Sequence, residues 1–306
     1  MWVADLARAR LEQQLTALRT HADAVPAGDD PEAIHQMRVA TRRLRAALRV
    51  FADVLPPEAI ELGGELKWLA GALGAVRDLD VQIQRLKEDV DAVQATPEAA
   101  GLVVCLFETR RRVADDELTQ ALASPRYARL LDALEAVLVE PWPATSGEPT
   151  PQRLIRARYR RVRRAGARLT EDAAPAELHR ARIRTKQLRY TLECFTDLYG
   201  GPARKLVRRA TRLQDALGTI QDSSVLGEQL REAAQPERDL PASSVFLLGQ
   251  LAELHAEHVR VGRRQAPAAY RRLRGRPWKR LRRGMRSVSV RIPQTFTQAA
   301  ASVNTR

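Results

Sequence analysis

The chain has 306 residues, 44% hydrophobic and 29% charged, which suits one large or two ordinary soluble domains with an adequate core. Its net charge of +14 directs attention to polyanions, and only five of its 51 basic residues are lysine. Two widely spaced cysteines, Cys105 and Cys194, argue against a disulfide framework or a structural metal, and no apolar run approaches the ~18 residues of a membrane span.

Nearly every stretch between breakers reads as helix. Ala, Leu, Arg, Glu and Gln dominate, and apolar positions recur every three or four residues. The start, MWVADLARARLEQQL, is amphipathic without a signal-peptide core, so a cytoplasmic location is expected. A first helix is predicted over 3–24. A second opens with Asp30 as N-cap and Pro31 at the first helical position and stops before Pro56-Pro57. Further helices are predicted over 58–76, 79–93, 98–123 and 125–140. Four prolines and a glycine between Glu140 and Pro151 mark a linker. Beyond it the plan repeats over 152–170, 175–199, 202–219, 222–233, 241–265 and 267–283, and a small, polar tail follows. The expected division is an N-terminal half (1–140), a linker (141–151), a C-terminal half (152–285) and a tail (286–306).

The two halves share a segment. HQMRVATRRLRAALRVF (35–51) and HRARIRTKQLRYTLECF (179–195) align at an offset of 144 residues. His35 matches His179, Arg38 matches Arg182, Arg42 matches Lys186, Arg45 matches Arg189, and Phe51 matches Phe195. LGAVRDLDV (73–81) falls on LGTIQDSSV (217–225) at the same offset, aligning Asp78 with Asp222. The fold class expected is all-α: two pseudo-symmetric helical bundles of about six helices each.

On a helix, with ~100° per residue, His35, Arg38, Arg42, Arg45 and Arg49 fall within about 80° of arc. Met37, Ala40, Leu44, Leu48 and Phe51 fall opposite, so a basic stripe lies back to back with a core stripe. His179, Arg182, Lys186 and Arg189 repeat the stripe, with Glu193 in place of Arg49 and Arg184 in place of Ala40. Like charges at i,i+4 cost a few tenths of a kcal/mol each, and an ordinary solvated face mixes signs. An unrelieved stripe points to neutralisation from outside the chain. Arginine forks fit phosphate oxygens two at a time.

The remaining polar residues read more plainly. Asp78 and Asp222 are expected as N-caps, or else as orienting partners for a stripe arginine. His255 and His258 have no first-half counterpart and read as incidental. No metal-ligand spacing surrounds His35 or His179, so no metal or cofactor is expected. With no P-loop, acid cluster or nucleophile–base pair in evidence, no enzymatic activity is expected.

These segments resemble the CHAD family, the conserved histidine α-helical domain. The resemblance rests on HQMRVATRRLRAALRVF, ELHRARIRTKQLRYTLECF, LGAVRDLDV and LQDALGTIQD, and covers about residues 5–283. It implies two helical bundles around a basic cavity and non-catalytic binding of inorganic polyphosphate. The implied ligand side chains are His35, Arg38, Arg42, Arg45, Arg49, His179, Arg182, Lys186 and Arg189, with Lys67, Arg208 and Arg212 as further candidates. It also implies association with polyphosphate granules and with proteins of polyphosphate metabolism. The ExExK motif of the triphosphate-tunnel domain often fused to this family is absent. Two rival readings stay open: a nucleic-acid-binding protein, for which the stripe lacks stacking aromatics apart from Tyr190, and an enzyme acting on phosphoanhydrides.

Overall fold

The computed structural model describes residues 2–22, 25, 31–142, 150–236 and 239–287. Asp30, most of the linker and the tail beyond 287 lie outside the described residues. Ten helices and no strand occur among those described. They are α1 (Trp2–Ala22), α2 (Pro31–Val50), α3 (Pro57–Ala92), α4 (Pro97–Ala123), α5 (Pro125–Val139), α6 (Pro151–Gly166), α7 (Pro175–Cys194), α8 (Thr196–Ala233), α9 (Ala242–Arg274) and α10 (Arg276–Ser287).

Local chemistry sets most of the starts. Proline opens α3 to α7, where its missing N–H is no loss and its φ is already helical. Thr96, Ser124 and Thr150 cap α4, α5 and α6 by accepting from the N–H groups of Ala99, Tyr127 and Arg153.

Among the described residues, five helices precede the linker region and five follow it, where six each were expected. Residues 57–92 form one helix, about 54 Å long at 1.5 Å per residue, where two were expected. Leu66, Leu69, Leu73, Val76, Ile83, Leu86 and Val90 stay buried along it, so the apolar stripe runs through 73–81 without a break. The counterpart α8 also runs through 217–225, and its one non-helical residue is Gly200, at φ 55°. Asp78 and Asp222 therefore lie in mid-helix and cap nothing. In the same way α9 continues through Pro267 to Arg274.

Neighbour relations in the first five helices recur in the second five. α1 packs on α2, α2 on α3, and α3 on both α4 and α5; α6 packs on α7, α7 on α8, and α8 on both α9 and α10. The halves meet where α2 touches α7 and α4 touches α9. A main core draws on both halves, from Leu6 and Leu44 to Leu188 and Leu213. A second, smaller core joins Leu86 and Phe107 to Leu230 and Leu251. No described helix is long and apolar enough to cross a membrane.

Candidate functional site: a cationic cavity between α2 and α7

The opposed stripes of α2 and α7 decide where their cations go. Met37, Ala40, Leu44, Leu48, Ala181, Leu188 and Leu192 are buried in the core. Phe51 and Phe195, just past the ends of the two helices, pack edge to face with ring centroids 6.0 Å apart. With the apolar faces fixed inward and the helices in contact, their basic faces converge.

The convergence forms a cavity of about 350 Å³. Arg42, Arg45 and Arg49 of α2, His179, Arg182 and Lys186 of α7, and Arg158 of α6 line it. Ala46, Val50, Ile183, Gln187, Tyr190 and Thr191 complete the wall, and no carboxylate does. The Nε atoms of Arg42 and Arg45 are buried without a hydrogen-bond partner, as is that of Arg189 behind the wall. The ring of Tyr190 lies between the two helices, with the guanidinium of Arg42 5.8 Å and that of Arg189 4.9 Å from its centroid.

The electrostatics follow from burying like charges together. Lys186 is pushed down to about 8, mainly by burial and then by Arg42, Arg182, Arg38 and Arg45. Burial, with Arg189 and Arg38 adding repulsion, also lowers the pKa of Arg42. Arg45 is lowered by burial and by Arg49.

At the heads of the two helices the cations do find acids. Arg38 Nη1 lies 2.8 Å from Asp78 Oδ1, and Arg182 Nη2 lies 3.8 Å from Asp222 Oδ1. Asp78 and Asp222 thus pair with stripe arginines and are not caps. His179 Nδ1 is 3.4 Å from Gln221 Oε1. A second cavity, of about 540 Å³, opens here among Arg38, Arg182, Asp78, Asp222, Arg85 and His258, so Arg182 lines both cavities. His255 in its wall has a structural partner: its Nε2 lies 3.1 Å from the buried carboxylate of Asp89, which also pairs with Arg85.

The structure does not bring every expected residue into the first cavity. Arg38 faces the second, and His35 is half-buried on α2 outside the first cavity's lining. Arg189 is held away by Glu193, 3.6 Å from its Nε. Glu193 itself lines a separate pocket with Arg10 and Arg43, from which its charge still supports that of Arg42. Lys67, Arg208 and Arg212 are exposed on α3 and α8 and do not line the cavity.

Sequence reasoning missed Arg158, whose Nη2 donates to the carbonyl of Arg49 at 3.0 Å. Its pKa is lowered by burial and then by Arg161, Arg184 and Arg49. Arg158 sits beside the buried Tyr159 and Ile155 in RLIRARYRR, and that edge position is the only signal the sequence offers for it.

The comparisons agree with this architecture. The CHAD domain model matches residues 9–231. The chain is 34% identical over 256 residues to the uncharacterized proteins MT2285 and Rv2226 of Mycobacterium tuberculosis (strains CDC 1551 / Oshkosh and ATCC 25618 / H37Rv). That match covers 80% of this chain and 48% of each relative, so the chain spans about half the length of the curated relatives it matches. A crystal structure of the CHAD domain from the plant Ricinus communis superposes with a TM-score of 0.71 at 32% identity, over 85% of this chain and 91% of that one. PptA from Streptomyces chartreusis shares the fold, with a TM-score of 0.73 at 21% identity over 88% of this chain and 99% of that one. On the extent of the family match and the identity to the solved domain, the chain belongs to the CHAD domain family.

Proposed function

We propose that the chain binds inorganic polyphosphate without transforming it, in the cavity between α2 and α7. One observation carries this reading: six cations and a histidine line a single cavity that has no carboxylate in its wall. Such a wall is costly when empty, because buried like charges repel and Lys186 loses proton affinity. A linear chain of phosphates supplies the missing negative charge continuously. Guanidinium groups can meet its oxygens through paired charge-assisted hydrogen bonds, and released counterions add to the affinity. His179 and Gln187 offer hydrogen bonds to phosphate oxygens that carry less charge.

The wall does not favour chemistry. It contains no acid pair to hold a divalent metal; of its two hydroxyls, Thr191 Oγ1 already donates to the carbonyl of Gln187 and Tyr190 Oη is buried. Nucleic acid fits less well, because the one aromatic in the wall, Tyr190, is buried and offers no free face for a base. The family's location on polyphosphate granules and its partners in polyphosphate metabolism are part of the same proposal.

The test is titration of the protein with long-chain polyphosphate at several salt concentrations. With the six cavity cations engaged, the logarithm of the affinity should fall with the logarithm of salt at a slope of about −4 or steeper. An Arg42→Ala/Lys186→Ala protein should lose at least tenfold in affinity. Unchanged binding by that variant, or release of phosphate by the wild type with magnesium, would sink the reading.

A further inference from the structure

The cavity does not account for the chain's charge. Residues 151–170 and 258–287 hold twenty of the 51 basic residues and none of the 37 acids. The 31 basic residues elsewhere are outnumbered by those 37 acids, so the rest of the chain, including most of the cavity, is net −6. The whole positive character of the protein therefore sits in α6, the last turns of α9, and α10.

The fold gathers these segments into one surface. Tyr159 of α6 stacks on Trp278 of α10 with centroids 3.7 Å apart and rings within 7° of parallel. Tyr159 donates to the carbonyl of Arg274, Tyr270 to that of Arg163, and Gln152 to that of Met285. On α10 the buried Leu281 and Met285 turn inward. Lys279, Arg280, Arg282 and Arg283 are exposed. On α6 Ile155, Tyr159 and Val162 turn inward while Arg160, Arg161 and Arg164 are exposed. Arg168, Arg260 and Arg264 pair with glutamates at the margins, but among the described residues no ion pair joins the exposed cations of α6 and α10 named here to a carboxylate. An ordinary solvated face of this size intermixes signs.

The α6 part of this surface borders the cavity. Arg158 lines the cavity from α6, and Arg161, one turn on, is the charge it feels most strongly. We infer that α6 and α10 form an exterior polyanion track that holds the part of a phosphate chain extending beyond the cavity, so that affinity rises with chain length. The ligand class rests on the function proposed above; the acid-free surface does not. The aromatic side chains of the track are committed to packing, Tyr159 against Trp278 and Tyr270 against α6. A polymer recognised by charge alone suits it better than one recognised by base stacking.

The experiment compares three proteins: wild type, an Arg42→Ala/Lys186→Ala cavity variant, and a track variant with Arg160, Arg161, Arg164, Lys279, Arg280 and Arg283 all changed to Gln. Each is titrated with tripolyphosphate, long-chain polyphosphate and single-stranded DNA of matched charge, after circular dichroism confirms an unchanged helical content. The track variant should bind tripolyphosphate as the wild type does and long chains at least tenfold more weakly. Its salt slope for long chains should be shallower by up to about 4, as expected for six cations removed from a single-strand contact. Equal long-chain affinity in wild type and track variant overturns the inference. So does a track that prefers DNA to polyphosphate, which would make it a nucleic-acid surface. Failure of the cavity reading looks different: the cavity variant would bind tripolyphosphate as well as wild type while the track variant still lost long chains.

Discussion

Phe51 and Phe195, 144 residues apart in sequence, meet edge to face at 6.0 Å and are both almost fully buried. Each stands one residue beyond the end of a cation-bearing helix. Their contact ties the end of α2 to the end of α7. Replacing either by alanine should destabilise the fold by ~3–5 kcal/mol, the usual cost of deleting a buried aromatic. Because the rings touch, the double variant should cost less than the sum of the singles in denaturant titrations. Strict additivity would mean that the helices are held together elsewhere.

Asp78 and Asp222 compete with any polyanion for Arg38 and Arg182. Both ion pairs are largely solvent-exposed, so each is worth only about 0.2–1 kcal/mol. Asp78→Asn/Asp222→Asn should therefore bind polyphosphate a few-fold more tightly than the wild type in direct titration. Weaker binding would mean that the two carboxylates are needed to aim the arginines.

Lys186 gives the binding a pH signature. Its pKa near 8 in the empty cavity should return toward the ordinary lysine range when phosphate surrounds it. The complex then holds a proton that the free protein releases as pH rises above 8, so affinity should fall by roughly tenfold between pH 7 and pH 9. Calorimetry at pH 8.5 in buffers of different ionisation enthalpy should detect proton uptake, and Lys186→Arg should abolish it. The same shift acts on stability with the opposite slope. The unfolded chain binds more protons than the ligand-free folded one between about pH 8 and the ordinary lysine value of 10.5, so ligand-free stability should rise with pH across that window.

Gly166 ends α6 against the ring of Tyr270, and a Cβ there would come within 2.2 Å of that ring. Tyr270 cannot swing aside without breaking its hydrogen bond to Arg163 and leaving the core. Gly166→Ala should therefore cost about 1–3 kcal/mol in chemical denaturation, the usual range for overpacking. Tyr270→Ala in the same background should recover part of the loss due to the clash.

Much of the architecture was legible in the residues. The 3.6-residue period marked the helices, the Pro and Ser/Thr signals marked most of their starts, and the opposed arcs on 35–51 and 179–195 separated cation from core. The helix breaks expected near 76–79 and 219–222 share one cause. A Leu-Gly pair followed by Asp reads as a helix boundary, but Gly74 and Gly218 are tolerated inside long helices whose apolar stripes never break. Once those helices are continuous, Asp78 and Asp222 have no N–H groups to cap and turn to the arginines opposite.

The sequence alone determined that each repeated helix would carry a basic arc back to back with an apolar one, because helical angle depends only on residue number. It also fixed where the net charge lies, since that needs only a count. Which cations share a wall was decided by tertiary packing. Arg158 enters from another helix, Arg189 is turned aside by Glu193, and His35 stands outside the lining. The angle of a side chain about its own axis is local, whereas the distance between two charges on different helices is set by how their buried faces pack.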